Sequence, residues 1–383
     1  MGIIISILSL SFIIFIHELG HLIASKRLGV AVETFSIGMG KPFVKVHWNG
    51  TDYGLSPFPL GGYCKLRGYC KLKGEEKNDE EEAKIAADSY LMAPLWKKVI
   101  VLVSGSFMNF LGAFLILLVL AANYVPIPAD SGLIGGVIPN SHAEAIGLKK
   151  GDIFLNYFDP ITNKTVKINS FDEIVKSKDL GATKFTVEQN GKTRIITLTP
   201  TKITDANGVE QELMGIVIGH RKPNAVESIK AASIFFYQGI TDTATAFKGL
   251  VINPIKTVTK DLVGPIGIVK MTGTVANQAI KETPAQPSTS APFTVPKFVE
   301  YFFIWAMISI NLGIMNMLPI PPLDGGKIVE ECLSPLLKKN KFIEKGFKAV
   351  ASLGVLSLLA LMIFVYGKDF FQYIIKPLNS LFG

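Results

Sequence analysis

The sequence is poor in charge, cysteine and histidine. Only 18% of its 383 residues are Asp, Glu, Lys or Arg, and mean hydropathy is +0.37, which excludes an ordinary soluble enzyme. Three cysteines are too few for a disulfide framework. Acidic residues are the scarcer sign, 31 against 39 lysines and arginines, for a formal net charge of +8. That surplus forms no basic patch interleaved with aromatics, so a nucleic-acid partner is not expected. Basic residues beside membrane segments and anionic lipid account for it better. There is no internal repeat of the kind common in transporters. The first apolar run lacks a basic n-region and a plain cleavage site, and is expected to be retained rather than cleaved as a signal peptide.

What the chain does have is four long apolar runs. They lie near Ile3 to Ser25, Val99 to Ala122, Val299 to Leu318 and Phe347 to Tyr366. Each approaches the roughly 20 residues that cross a hydrocarbon core. Lys26 and Arg27 close the first run, Lys97 and Lys98 open the second, and Lys338, Lys339, Lys341, Lys345 and Lys348 separate the third from the fourth. The positive-inside rule then places both short connections in the cytoplasm and both termini outside, with the long segment between runs two and three extracytoplasmic. Cys64, Cys70 and Cys332 all fall in the expected cytoplasmic parts. The C-x5-C spacing of the first two is no standard zinc pattern, and they read as incidental.

Inside the first run stands His17-Glu18-Leu19-Gly20-His21. A helix turns about 100° per residue, so His17 and His21 face nearly the same way and can share a metal. Glu18 lies about a quarter turn round, within reach of a water at that metal. Ionisable groups at membrane depth are costly and mark a functional site by default. The bland alternative, two core histidines meeting by coincidence, is disfavoured by the apolar flanks Ile13 to Ile16 and Leu22 to Ala24.

Between the runs the composition changes. Val32 to Leu72 is rich in glycine, proline and aromatics, and Phe35 to Gly40 and Tyr53 to Lys65 alternate like short strands joined by tight turns. Lys73 to Lys84 reads as a solvated loop. Residues 130–220 form a β-rich module, with a helix expected over Phe171 to Ser177. Strands Lys184 to Gln189 and Arg194 to Leu198 flank Asn190-Gly191, a strong hairpin signal. Its phrase Ala143-x-x-x-Gly147-Leu148-x-x-Gly151-Asp152 resembles a PDZ domain of the bacterial protease type, whose groove accepts an extended peptide. His142 stands where such modules often have proline, and reads as an exposed loop residue rather than a ligand. Ser228 to Val258 is amphipathic, fitting either the outer membrane interface or a helix packed on the β module. Thr283 to Pro296, prolines among small polar residues, reads as a flexible loop.

Two histidines leave a catalytic zinc site one protein ligand short. The best candidate is Asp324, in Asn316-Met317-Leu318-Pro319-Ile320-Pro321-Pro322-Leu323-Asp324-Gly325-Gly326. Three prolines break a hydrophobic span there, and non-helical backbone at that depth needs a protein-lined or watery cavity. The alternative is an ordinary helix-ending turn with Asp324 capping the next segment.

HELGH in the first run, a PDZ-like module after the second, and N-x-x-P-x-P-x-L-D-G-G at the third together resemble the site-2 protease family of intramembrane metalloproteases, its bacterial RseP-type group in particular. Ser104-Gly105-Ser106-Phe107-Met108-Asn109 resembles the family's G-P-x-x-N element, with Ser106 in place of proline. Gly264-Pro265-Ile266-Gly267-Ile268 resembles a segment preceding the third span. The outside region has room for one PDZ module where some relatives have two. The resemblance implies a polytopic α-helical membrane protein with four transmembrane helices, a membrane-associated β-hairpin region and one extracytoplasmic PDZ domain. The expected divisions are 1–30 for the first helix, 31–94 for a cytoplasmic or re-entrant β region and loop, and 95–122 for the second helix. They continue with 130–220 for the PDZ domain, 225–297 for an amphipathic segment and loop, and 298–326 and 347–375 for the third and fourth helices.

The implied activity is that of a zinc endopeptidase in the bacterial inner membrane. It would cut transmembrane segments of single-span proteins, such as a membrane-bound regulator of the anti-sigma type or remnant signal peptides. His17, His21 and Asp324 would hold Zn2+, and Glu18 would act as general base. Asn316 resembles the family asparagine that binds substrate backbone, and Asn109 is expected to line the same cavity. An unwound substrate needs partners for its freed backbone groups, and Gly61, Gly62, Tyr63, Cys64 and Lys65 are expected to supply them by β-addition. The PDZ module would bind a newly exposed C-terminus or exclude bulky substrates. A metal transporter and a PDZ scaffold with a dead site are the competing classes. The first has no use for Glu18, and the second does not need a complete donor set.

Overall fold

The computed structural model describes residues 1–68, 88–125, 127–128, 132–168, 173–174, 177, 183–204, 210–253, 263–281, 296–339 and 341–376. Cys70, the Lys73 to Lys84 stretch and all but Pro296 of the Thr283 to Pro296 loop lie outside them. The same is true of most of the helix expected over Phe171 to Ser177. Four described helices are long and apolar enough to cross a membrane: Gly2–Leu28, Leu95–Tyr124, Lys297–Asn316 and Lys345–Tyr373. Each contains or nearly contains an apolar run read from the sequence, extended by a turn or so into its polar flanks.

The chain forms two compact units. The first comprises Met1–Val119, Ala232–Lys281 and Lys297–Gly383. It opens with α1 (Gly2–Leu28), which Gly29 ends in the left-handed conformation with its N–H on the Lys26 carbonyl, a glycine C-cap after two terminal cations. A four-stranded sheet follows, from β1 (Val32–Met39), β2 (Val44–Trp48), β3 (Thr51–Leu55) and β4 (Phe58–Leu66), in the order β2-β3-β1-β4. The pair β1–β3 is parallel and β1–β4 antiparallel, with Ser36 opposite Tyr63 and Phe35 opposite Cys64. Among the described residues β4 is therefore an edge strand, and it packs along α1. Phe35, Leu66, Leu22 and Val101 join sheet to helices in one buried cluster.

Helix α2 (Leu95–Tyr124) is the second candidate span. In the second unit, Leu120–Ala231 with Glu282–Pro296, β5 (Ile127–Pro128), β6 (Gly132–Val137), the short α3 (His142–Ala145), β7 (Ile153–Asp159) and β8 (Lys164–Lys167) come first. Then follow β9 (Thr183–Gln189), β10 (Lys192–Leu198), β11 (Thr201–Thr204), β12 (Glu210–Leu213), β13 (Ile216–Ile218) and β14 (His220–Arg221). The main sheet runs β10-β9-β7-β6-β13, with β8 on β7. Asn190 and Gly191, both at positive φ (52° and 74°), join β9 to β10, as their identity predicts. Phe154, Phe185, Val187 and Ile134 fill the core. Asp152 accepts from the Lys149 N–H and the Gln189 amide, locking the turn that carries the Gly-Asp pair. His142 is half-buried, and its Nδ1 accepts from the Thr199 N–H.

The first unit is completed by α4 (Ala225–Ile252, from Ala232 on), α5 (Pro265–Lys281), α6 (Lys297–Asn316), α7 (Asp324–Lys339) and α8 (Lys341–Phe370). The amphipathic stretch is helical as far as Ile252, its residues after 253 lying outside the described ones. Its apolar face meets the candidate spans: Phe236 packs on Phe110 and Phe114, and Phe235 on Phe303. Thr243 hydrogen-bonds Asn311. Helix α5 lies against α1, where the Gly2 N–H donates to Asn277 Oδ1 at 2.8 Å. Its N-terminal Gly264 and Gly267 N–H groups donate to the fully buried Asp369 of α8.

Candidate active site

Helix α1 presents His17 and His21 on one buried face, their rings 4.9 Å apart. Asp324 reaches the same point from the first residue of α7. Its Oδ2 lies 3.1 Å from His17 Nε2 and 3.2 Å from His21 Nε2, and the two ring nitrogens are 3.2 Å apart. Three donor atoms thus form a nearly equilateral triangle from residues 307 positions apart in the chain. Zinc–ligand bonds of about 2.0–2.1 Å in a tetrahedron give edges of about 3.3 Å. The triangle fits that metal, and no other His, Cys, Asp and Glu cluster of this kind occurs among the described residues.

The chain around the triangle is shaped for it. The prolines end α6 at Asn316 and start a tight turn, with the Leu323 N–H on the Ile320 carbonyl. Gly325 and Gly326 let α7 begin hard against that turn, since a Cβ at position 325 would meet the Met317 and Leu318 carbonyls. From α2, Gly105 faces the imidazoles. A Cβ there would stand 2.5 Å from His21 Nε2 and 2.8 Å from His17 Nε2, so only glycine leaves the space in front of both nitrogens open. His21 Nδ1 lies 2.7 Å from the Val101 carbonyl, which can only accept. The ring proton is therefore on Nδ1 and the Nε2 lone pair faces the triangle.

A cavity of about 340 Å³ opens onto the triangle. Glu18 lines it together with Cys64, Asn316, Asp324 and Lys327. Of the strand residues named from the sequence, Gly62 and Cys64 face this side: a Cβ on Gly62 would lie 3.5 Å from Glu18 Cγ. Tyr63 and Lys65 turn to the other face, as strand alternation requires, the first reaching the Gly40 carbonyl and the second pairing with Glu33. Gly61 sits over Met39. Burial, with the Glu18 carboxyl beside it, pushes the Cys64 thiol well above its ordinary range. Cys64 is a neutral wall of the cavity. Asn316 Nδ2 is 3.3 Å from His17 Nε2. Asn109 stands behind His17, fully buried, with Nδ2 3.3 Å from His17 Nδ1.

Two participants escaped the sequence reading. Lys327 places Nζ 3.0 Å from Asp324 Oδ1, a contact whose signal was its position three residues on along a helix. The Val101 carbonyl is backbone and leaves no mark in the sequence.

A helix-borne HExxH pair, a converging carboxylate and a glutamate beside them, set among candidate membrane spans, define a membrane zinc metalloprotease. Comparison with known proteins agrees. The model of peptidase family M50 matches residues 5–361. A Campylobacter jejuni protein that carries a zinc metalloprotease name is 34% identical over 373 residues, 95% of this chain and 92% of its own. One of Helicobacter pylori strain J99, named likewise, is 33% identical over 333 residues, covering 85% and 87%. Metalloprotease MmpA of Caulobacter vibrioides is 27% identical over 402 residues, covering 97% and 96%. The chain belongs to peptidase family M50, the site-2 protease family.

Proposed function

We propose that this zinc metalloprotease cuts the transmembrane segments of single-span membrane proteins, membrane-bound regulators or signal-peptide remnants among them, within the bilayer. The observation that carries the reading is the meeting of the His17, His21 and Asp324 donor atoms beside Glu18 in one cavity, with strand β4 as a wall. His17, His21 and Asp324 would hold the metal, and zinc bound there would supply a Lewis acid for the scissile carbonyl and a lowered pKa for water. Glu18 takes the proton from the water that adds to the carbonyl carbon. It then delivers that proton to the nitrogen as the C–N bond breaks, so a carboxylic acid and an amine leave. Asn316, at the cavity wall, donates its amide N–H to substrate backbone.

Strand β4 solves the difficulty of a helical substrate. Peptide hydrolysis needs an extended segment, whose freed N–H and C=O groups go unpaired in lipid. The edge through Gly61, Gly62, Tyr63, Cys64 and Lys65 offers main-chain partners beside Glu18. We read the second unit as a PDZ domain, supported by its antiparallel sheet, its short helix at His142–Ala145 and the Asp152-locked turn. The flanking lysines and arginines support a bacterial inner-membrane topology with the termini and this unit outside.

Glu18→Gln tests the assignment. The variant should keep its zinc and lose cleavage of a tagged membrane substrate by at least 100-fold. Cleavage at the wild-type rate would overturn the role of Glu18.

A further inference from the structure

His17 and His21 need the same thing from their surroundings. For Nε2 to offer its lone pair to a metal, Nδ1 must carry the ring proton and donate it to an acceptor. His21 has the Val101 carbonyl for this. His17 Nδ1 faces the Asn109 carboxamide at 3.3 Å. Asn109 Oδ1, at the other end of that carboxamide, is buried without a hydrogen-bond partner, so no contact of the oxygen holds the amide in this orientation. A half-turn about the last side-chain bond exchanges the two ends, which differ little in shape. It brings the oxygen to the His17 N–H. The backbone at this point is fixed, because Ser309 Oγ donates to the Asn109 carbonyl at 2.9 Å. The Asn316 amide nitrogen, the other group near this ring, stands about equally far from Nδ1 and Nε2, at 3.4 and 3.3 Å. It therefore lies across the ring rather than on the Nδ1 lone-pair axis, and it lines the cavity.

We infer that Asn109 is a positioning residue for the metal centre: its carboxamide oxygen accepts the N–H of His17 Nδ1 and fixes the tautomer whose Nε2 faces Asp324 and His21. The inference rests on the reading of His17, His21 and Asp324 as metal ligands. It gives the two histidines matched supports from one helix, Val101 through its backbone and Asn109 through its side chain.

The test is the zinc affinity of the full chain in detergent, measured by competition with a chromophoric chelator. Asn109→Leu, similar in size but without an acceptor, should weaken zinc binding on the order of 10- to 100-fold. Asn109→Asp, which keeps an oxygen at that place, should bind zinc within a few-fold of wild type. Unchanged affinity in Asn109→Leu, or equal losses in both variants, would overturn the inference. His17→Ala serves as the reference. If it leaves zinc affinity intact, the metal-ligand reading itself fails. If it weakens zinc while Asn109→Leu does not, only the role of Asn109 falls.

Discussion

Glycine 105 shows how much of a metal site can rest on a missing atom. Its neighbours in α2 supply no ligand, yet the space over its Cα is where two imidazole nitrogens point. Alanine is the better helix former by about 1 kcal/mol, but its Cβ would press on both buried rings even without metal. Gly105→Ala should therefore cost the metal-free protein some stability while leaving it folded. The same variant should lower zinc affinity on the order of 10- to 100-fold, read from bound zinc after dialysis against a chelator series. A variant that still melts cooperatively without metal and yet binds zinc weakly separates crowding of the site from unfolding. His17, Glu18, His21 and Asp324 were legible in the sequence because helical spacing and an out-of-place carboxylate are local patterns. Lys327 showed only as a helix neighbour of Asp324, three residues on, and the Val101 carbonyl was not legible at all, since its role arises only when α2 is brought to α1.

Strands and helix ends carry their own tests. The strand at Tyr53 to Lys65 was legible from its alternation, but its edge position, its register and the parallel pairing of β1 with β3 needed the structure, since alternation tells which residues share a face and not which strands are neighbours. A proline scan through Gly61 to Lys65 should reduce cleavage by at least 10-fold at positions whose N–H points away from β1, with zinc content unchanged. Full cleavage at every position would remove β-addition from the mechanism. The start of α4 is held differently. The Asn224 side chain accepts from the Glu227 N–H while Glu227 accepts from the Asn224 N–H, a reciprocal cap, and Arg221 pairs with the same carboxylate. The Arg221 guanidinium, and after it the Asn224 N–H, hold the Glu227 carboxyl down to about 2, from an ordinary 4.5. A depressed folded value stabilises above the unfolded one and is lost as pH falls through the folded one. Glu227→Gln should therefore unfold at a lower temperature than wild type at pH 7. The gap should narrow below about pH 4.5 and close near pH 2, as seen in paired thermal melts. A gap independent of pH would mean the charge is not what caps the helix.

At the scale of the molecule, a metal held by His17, His21 and Asp324 would tie the N-terminal helix to the turn after α6. Binding to the folded state alone adds stability by mass action, about 4 kcal/mol at a thousand-fold excess over Kd. Chelation should therefore lower the melting temperature of wild type and leave that of His17→Ala unmoved, measured in the same detergent. The four candidate spans were legible as apolar runs, whereas the packing of α4 on them was not, because an amphipathic face does not name its partner. The 307-residue separation of His17 and Asp324 also has a meaning in time. A ribosome adding about 5–20 residues per second needs some 15–60 s to pass from one to the other. Through that interval the HExxH helix is made while Asp324, the third ligand of the proposed metal site, does not yet exist. A chain under construction thus emerges as a protease without teeth, and it gains them only once its third span and the turn beyond it have been made.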